Sequence, residues 1–275
     1  MKKLGFWGCI LWVLVSCSPN NVKTDDSLKV FFDAHQVRGC FALMDNGTGE
    51  FTIYNLPRYR DSAYEPASSF GIVMSLIGLQ TGKITSDTMQ IPWDGRQYRD
   101  TFWNKNLDMR AALRRSALPY FQTVARSVGK DGLQLWTDSL HYGSGKKDTA
   151  FWISSSVDSF WINNTLKITP DENLGLVKNL YFDELPFFKL YQEKVKQALA
   201  IENNANYKLA YSSGWGRTEA DRPLGWVVGW IEENRHPYFF VLNFESVEAE
   251  IPTTEIGEPL LKDILKKMGF FEGRM

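Results

Sequence analysis

Apolar residues follow two rhythms along this chain. Residues 40–45 and 51–55 are short apolar runs on either side of Asn46-Gly47-Thr48-Gly49. Asn-Gly tolerates the left-handed backbone of a tight turn, so this unit predicts a β-hairpin. Residues 207–211, 225–231 and 237–243 are rich in aromatic and β-branched side chains and are separated by turn formers. They predict three further strands of an antiparallel sheet. The second rhythm is helical. Ile256, Leu260, Leu261, Ile264, Leu265 and Met268 form one apolar stripe. Residues 70–79 are apolar nearly all round, which predicts a central, buried helix with Gly82 suited to its C-terminal cap. Residues 187–201 predict another helix, and helices and loops dominate from about 69 to 205. The expected fold is α+β: an antiparallel sheet from both chain ends, flanked by helices, with a helical insertion between the second and third strands.

The N-terminus follows neither rhythm. Lys2 and Lys3 precede a mostly apolar stretch, and Leu14-Val15-Ser16-Cys17 reads as a lipobox. Residues 1–16 are expected to be a lipoprotein signal peptide, too short for a permanent span, with Cys17 carrying lipid. An ordinary cleaved signal with a chance cysteine is the alternative. Either way the chain is exported. Lipidated, it is held by acyl chains to the bacterial cell envelope, on a periplasmic or outer-membrane face. Residues 17–28 are polar and are expected to be a flexible tether, which leaves residues 29–275 as one large domain.

Composition narrows the chemistry. The formal charge is −1, and −3 once Lys2 and Lys3 are removed, so nothing points to nucleic acid. Of Cys9, Cys17 and Cys40, only Cys40 stays free in a lipidated mature chain, and it sits in an apolar run as a small core residue. His35, His141 and His236 are scattered, with no metal-ligand spacing. No metal and no cofactor are expected.

The candidate chemistry lies in Pro66-Ala67-Ser68-Ser69-Phe70-Gly71, where an extended stretch meets the apolar helix. A serine there is a helix cap, or a nucleophile whose developing charge the helix dipole favours. A hydroxyl is a poor nucleophile without a nearby base. Lysine one turn on would supply one on the same face; the residue there is Gly71.

Further motifs follow in order: Trp93-Asp94-Gly95, Ser116-Ala117-Leu118 with Phe121-Gln122, Tyr142-Gly143-Ser144, Phe160-Trp161, Ser212-Ser213-Gly214-Trp215, and residues 225–230. From about 38 to 268 this order resembles the class D β-lactamases, or oxacillinases, within the penicillin-binding transpeptidase-like superfamily. The resemblance implies that fold. It implies Ser68 as nucleophile, Ser116 as partner hydroxyl, and the backbone N–H groups of Ser68 and Trp215 as an oxyanion hole. Leu118, Tyr142, Ser144, Trp161, Ser212, Ser213 and Gly214 would line the substrate site. A β-lactam or peptidoglycan-derived ligand, and a homodimer, are the implied partners.

The departures from that family change the expectation. Its motif lysine, which becomes carbamylated and serves as the base, is Gly71. The lysine of its Lys-Thr/Ser-Gly motif is Ser212. The arginine that holds the substrate carboxylate before the last helix is Gly257 in the best register. Losing a positioned base costs about 10²–10⁴-fold in rate. Trp161 would face a void beside Gly71 unless something fills it. His141 is a candidate replacement base and Arg217 a candidate replacement cation. Three readings stay open: a pseudoenzyme with a binding or regulatory role, a working serine acyl-transfer enzyme with a rearranged base, and a non-catalytic envelope scaffold.

Overall fold

The computed structural model describes residues 21–143, 151–154, 156–248 and 253–272. In chain order the elements are β1 (Val22–Thr24), α1 (Lys29–Ala34), β2 (Val37–Asp45), β3 (Phe51–Tyr54), α2 (Leu56–Asp61) and α3 (Gly71–Gln80). Then come α4 (Met109–Arg114), α5 (Leu118–Val128), α6 (Lys130–Ser139), α7 (Pro170–Tyr181) and α8 (Lys189–Leu199). The chain closes with β4 (Ala200–Asn203), β5 (Tyr207–Arg217), β6 (Pro223–Glu233), β7 (His236–Ser246) and α9 (Thr253–Lys267).

The strands form one sheet in the order β1-β3-β2-β7-β6-β5-β4, antiparallel except for the parallel β1·β3 pair. The expected α+β fold is the one observed. β2 from the N-terminal half lies beside β7 from the C-terminal half, with Cys40 opposite Asn243, so the two ends form one unit. Strand alternation divides the sheet's apolar residues between two cores. Ala42, Ile53, Trp226, Val228 and Phe239 face the layer that contains α3, α5 and α7. Phe41, Val227, Phe240 and Leu242 face α1 and α9.

α3 is the centre of the helical layer. Every residue from Gly71 to Leu79 is buried, as an all-round apolar helix requires. Gly82 follows it with φ +69° and its N–H on the Leu79 carbonyl, a left-handed cap that glycine adopts without strain. α7 starts with a capping box between Thr169 and Glu172, with Pro170 at its first position.

Two expectations change. The tether is shorter than 17–28, because Val22–Thr24 pairs with β3 as an edge strand and Leu28 is fully buried. The composition is polar because one side of an edge strand faces water. The helix expected over 187–201 ends at Leu199, and Ala200 turns extended to start β4. Neither Gly nor Pro marks that stop, so tertiary pairing with β5 decides it. Cys40 is fully buried, and burial pushes its thiol up to about 12, so it is an inert core residue. Cys17 and Ser144 lie outside the described residues.

Candidate active site

Ser68 lies in a short 3-10 turn, Ala67–Phe70, that leads into α3. The residues around it explain why the segment is held there. Ser69, not Ser68, does the local structural work: its hydroxyl donates to the Pro66 carbonyl at 2.6 Å. Neither the turn nor α3 has a side-chain cap. Ser68 Oγ makes no hydrogen bond among the described residues, although the residue is only 8% exposed. The capping role open to a serine here is therefore not the one it plays.

The segment is pinned against β5. Glu65 is buried, and its carboxylate accepts from the Arg217 N–H at 2.8 Å and the Asn164 N–H at 3.0 Å. Burial raises its proton affinity against those two bonds. The Trp226 indole donates to the Glu65 carbonyl, and the Ala67 N–H donates to the Trp161 carbonyl. Gly214 on β5 makes the approach possible, because a Cβ there would lie 2.4 Å from the Ser69 nitrogen. This contact sets the Ser68 segment directly against β5, the strand that carries Trp215. Ala67 and Ser116, both packed against β5, adopt positive φ, +52° and +48°. Such conformations cost about 1–3 kcal/mol each for residues with a Cβ and gather at functional sites.

A cleft of about 1020 Å³ opens at Ser68. Ser116, Leu118, Ser213, Trp215 and Arg217 line it, as does Tyr211. Ser116 Oγ donates to the Ser213 carbonyl at 2.7 Å, so its proton goes to β5 and not to Ser68.

The other expected site residues lie elsewhere. Tyr142 is buried against Phe70 with its hydroxyl unpartnered, outside the cleft lining. Trp161 is buried and stacks on Phe70 at 5.4 Å. Ser212, where the resemblance implies a lysine, is buried with its hydroxyl unpartnered. Gly257 is not part of the cleft wall: its missing side chain lets the Trp215 indole and Val227 pack against α9. The cleft-facing residues of α9 are Thr254, Glu255 and Glu258. His141 is exposed and outside the lining, which removes it as a replacement base. Arg217 does reach the cleft, with its guanidinium bonded to the Asp221 carbonyl and carboxylate.

The space beside Gly71 is occupied. A Cβ on Gly71 would meet the Phe121 ring edge at 2.9 and 3.0 Å and Leu113 at 3.4 Å. Phe121 is itself buried. Phe121 on α5 and Leu113 on α4 thus crowd the position where a side chain at residue 71 would begin. Among the described residues no cluster of His, Cys, Asp or Glu is arranged to hold a metal.

Sequence reasoning missed Arg99, Arg114 and Arg115, which line the cleft. Arg114-Arg115 sits directly before Ser116, so adjacency to a motif was the available signal.

Residues 39–266 match the penicillin binding protein transpeptidase domain family. The chain is 32% identical over 225 residues to β-lactamase OXA-5 of Pseudomonas aeruginosa, covering 81% of this chain and 82% of that one. A class D β-lactamase from Nostoc superposes with a TM-score of 0.79 at 28% identity, covering 89% of this chain and 99% of that one. The C-terminal domain of the Bacillus licheniformis BlaR penicillin-receptor superposes with a TM-score of 0.82 at 28% identity, covering 91% of this chain and 97% of that one.

Proposed function

The chain belongs to the penicillin-binding transpeptidase family, on its class D β-lactamase side, and from that premise we propose that it is a penicillin-binding envelope protein without hydrolytic turnover. Its role is binding or regulation, and Cys17 anchors it by lipid to the envelope. One observation carries this reading: the cleft at Ser68 stays open while Gly71, with Phe121 packed against it, stands where the family's base would be. The likeness to a penicillin-receptor domain supports a role as a receptor.

The chemistry follows from what remains. Ser68 attacks the β-lactam carbonyl, the ring C–N bond breaks, and the hydroxyl proton passes to the ring nitrogen. The whole antibiotic stays on the protein. Backbone donors of the oxyanion hole do not depend on side-chain identity and stabilise the developing charge. Without a general base this step is slow, and water attack on the ester is slower by the same missing group.

Intact-mass measurement with millimolar benzylpenicillin tests this. A single adduct of the full antibiotic mass is expected to accumulate and persist on the Ser68 peptide, and to be absent from Ser68→Ala. No adduct at that concentration would defeat the penicillin-binding reading and leave the envelope scaffold.

A further inference from the structure

The N-terminal strand enters the fold far from the Ser68 cleft, and the sheet registers give the separation. Val22 lies level with Phe51, Met44, Phe239, Trp230 and Ala210 on successive strands. Trp215, at the cleft, is five residues further along β5 than Ala210. In the sheet order β5 is the fifth strand away from β1. At about 4.8 Å per strand and about 3.3 Å per residue, Val22 and Trp215 stand roughly 30 Å apart on the diagonal of the sheet. β1 also runs in the direction of β5, since Thr24 lies level with Ser212. The chain therefore enters β1 from the end that faces away from the cleft.

That entry point is a fixed corner. Asn21 Nδ2 donates to the Gly49 carbonyl at 2.8 Å, and the Phe51 N–H donates to the Asn21 carbonyl at 2.7 Å. The β2–β3 hairpin is joined there to the start of β7, where His236 Nε2 lies 2.7 Å from Asp45 Oδ1. α9 marks the same axis. Thr254 and Glu255 at its start line the cleft, while Phe270, just past its end, meets Tyr238 on β7 at 4.9 Å. Cys17 stands four residues before Asn21, a stretch that spans at most about 14 Å. A leash this short keeps the corner at the headgroups, whereas the cleft meets them only if the domain lies flat along its diagonal. Little favours that pose. None of the described residues with a large, well-exposed apolar side chain lines the cleft, and its arginines share the lining with Asp100, Glu255 and Glu258.

We propose that the anchored protein meets the lipid surface at the corner formed by the Asn46–Gly49 hairpin and the Asn234–Arg235 turn, with the Ser68 cleft open to water on the far side. This rests on the reading of Cys17 as the lipid-bearing residue and adds how the domain is presented. A ligand then comes to Ser68 from the aqueous space and not from within the bilayer.

Fluorescence quenching of the lipidated protein in phospholipid vesicles tests this. The full chain is expressed in bacteria, extracted in detergent and reconstituted with a lipid that carries a quencher on its headgroup. A dye is placed on Thr48→Cys in the hairpin and, in a second sample, on Ala220→Cys in the turn after β5. Both positions are exposed, while Cys40 is fully buried and takes no dye. The dye at position 48 is expected to be quenched at least threefold more than the dye at position 220. Twenty glycine and serine residues inserted after Asn20 lengthen the leash to about 27 Å root-mean-square and are expected to bring the two dyes close to equal. Equal quenching without the insertion, or stronger quenching at position 220, overturns the proposal, as does a contrast that the insertion leaves unchanged. The mass of the N-terminal peptide is scored separately. If Cys17 carries lipid and the two dyes are quenched equally, the presentation is wrong and the anchor stands. If Cys17 carries no lipid, the anchoring reading fails on its own and the presentation falls with it.

Discussion

Gly71→Lys is expected to produce no β-lactam turnover, with or without added carbon dioxide, and to lower stability by about 2–3 kcal/mol. The reason is steric before it is chemical. The first side-chain carbon would already press on the Phe121 ring, and both residues are buried. Relief from helical glycine returns only about 0.5–1 kcal/mol. A buried ammonium group without a partner adds its own penalty and drives the lysine toward whatever conformation reaches water. Phe121→Ala combined with Gly71→Lys removes the clash. The double variant is therefore expected to recover part of the lost stability while remaining far slower than a class D β-lactamase, because the lysine replaced by Ser212 is still absent. Thermal melts and a chromogenic cephalosporin assay at two carbon dioxide levels read both effects. Carbon-dioxide-dependent hydrolysis by Gly71→Lys alone would refute the filled-pocket account.

The largest stability effect is expected behind the site, at Glu245→Gln. Arg58 on α2 donates to the Glu245 carboxylate at 2.7 Å and to Asn243 at 2.9 Å, both on β7, and lies over the Tyr64 ring at 4.3 Å. Arg38 on β2 adds a second contact to Glu245 at 3.2 Å. Tyr64 in turn pairs with Ile168 and leads into the Ser68 segment, so this cluster anchors the approach to the nucleophile. Arg58 and Glu245 are each 8% exposed at the side chain. Removing the charge of one leaves the other buried and uncompensated, at a cost of about 3–5 kcal/mol.

The pH dependence gives the effect a signature. Burial opposes the Glu245 charge, but hydrogen bonds from Arg58 and Arg38 outweigh it and hold the carboxyl below its ordinary value. A depressed carboxyl stabilises the folded state above the unfolded value, near 4.5 here, and that contribution is lost as the pH falls. Urea denaturation should therefore show the full gap between the parent and Glu245→Gln at pH 7 and a much smaller one at pH 3. A gap of the same size at both values would mean that shape, not charge, sets the cost.

How much was legible in the sequence depended on where each signal was local. The hairpin at Asn46-Gly47 and the all-round apolar helix behind Ser68 state their structure in their own residues. The motif order from Ser68 to Trp215 carried the family. Long-range packing was not legible. Nothing around Phe121 announces that its ring closes the space beside Gly71, because that contact joins α5 to α3 across the core. Nothing around Gly257 shows that it receives Trp215 while Glu255 and Glu258 face the cleft. Spacing along a helix gives the faces but not which face a neighbour takes. Tyr142, Trp161 and Ser212 were expected at the substrate surface and are instead buried beneath it, a difference in depth that a linear motif does not encode. The short tether was misjudged for the same reason: the polar run hides the pairing of Val22–Thr24 with β3.

These particulars meet in one claim, that the fold and an open cleft were kept while the means of turnover was lost. Counting the equivalents of chromogenic cephalosporin opened per molecule of purified protein over hours tests it most directly. The account predicts a slow rise to no more than one equivalent, absent in Ser68→Ala. Continued turnover through many equivalents, abolished by Ser68→Ala, would contradict it.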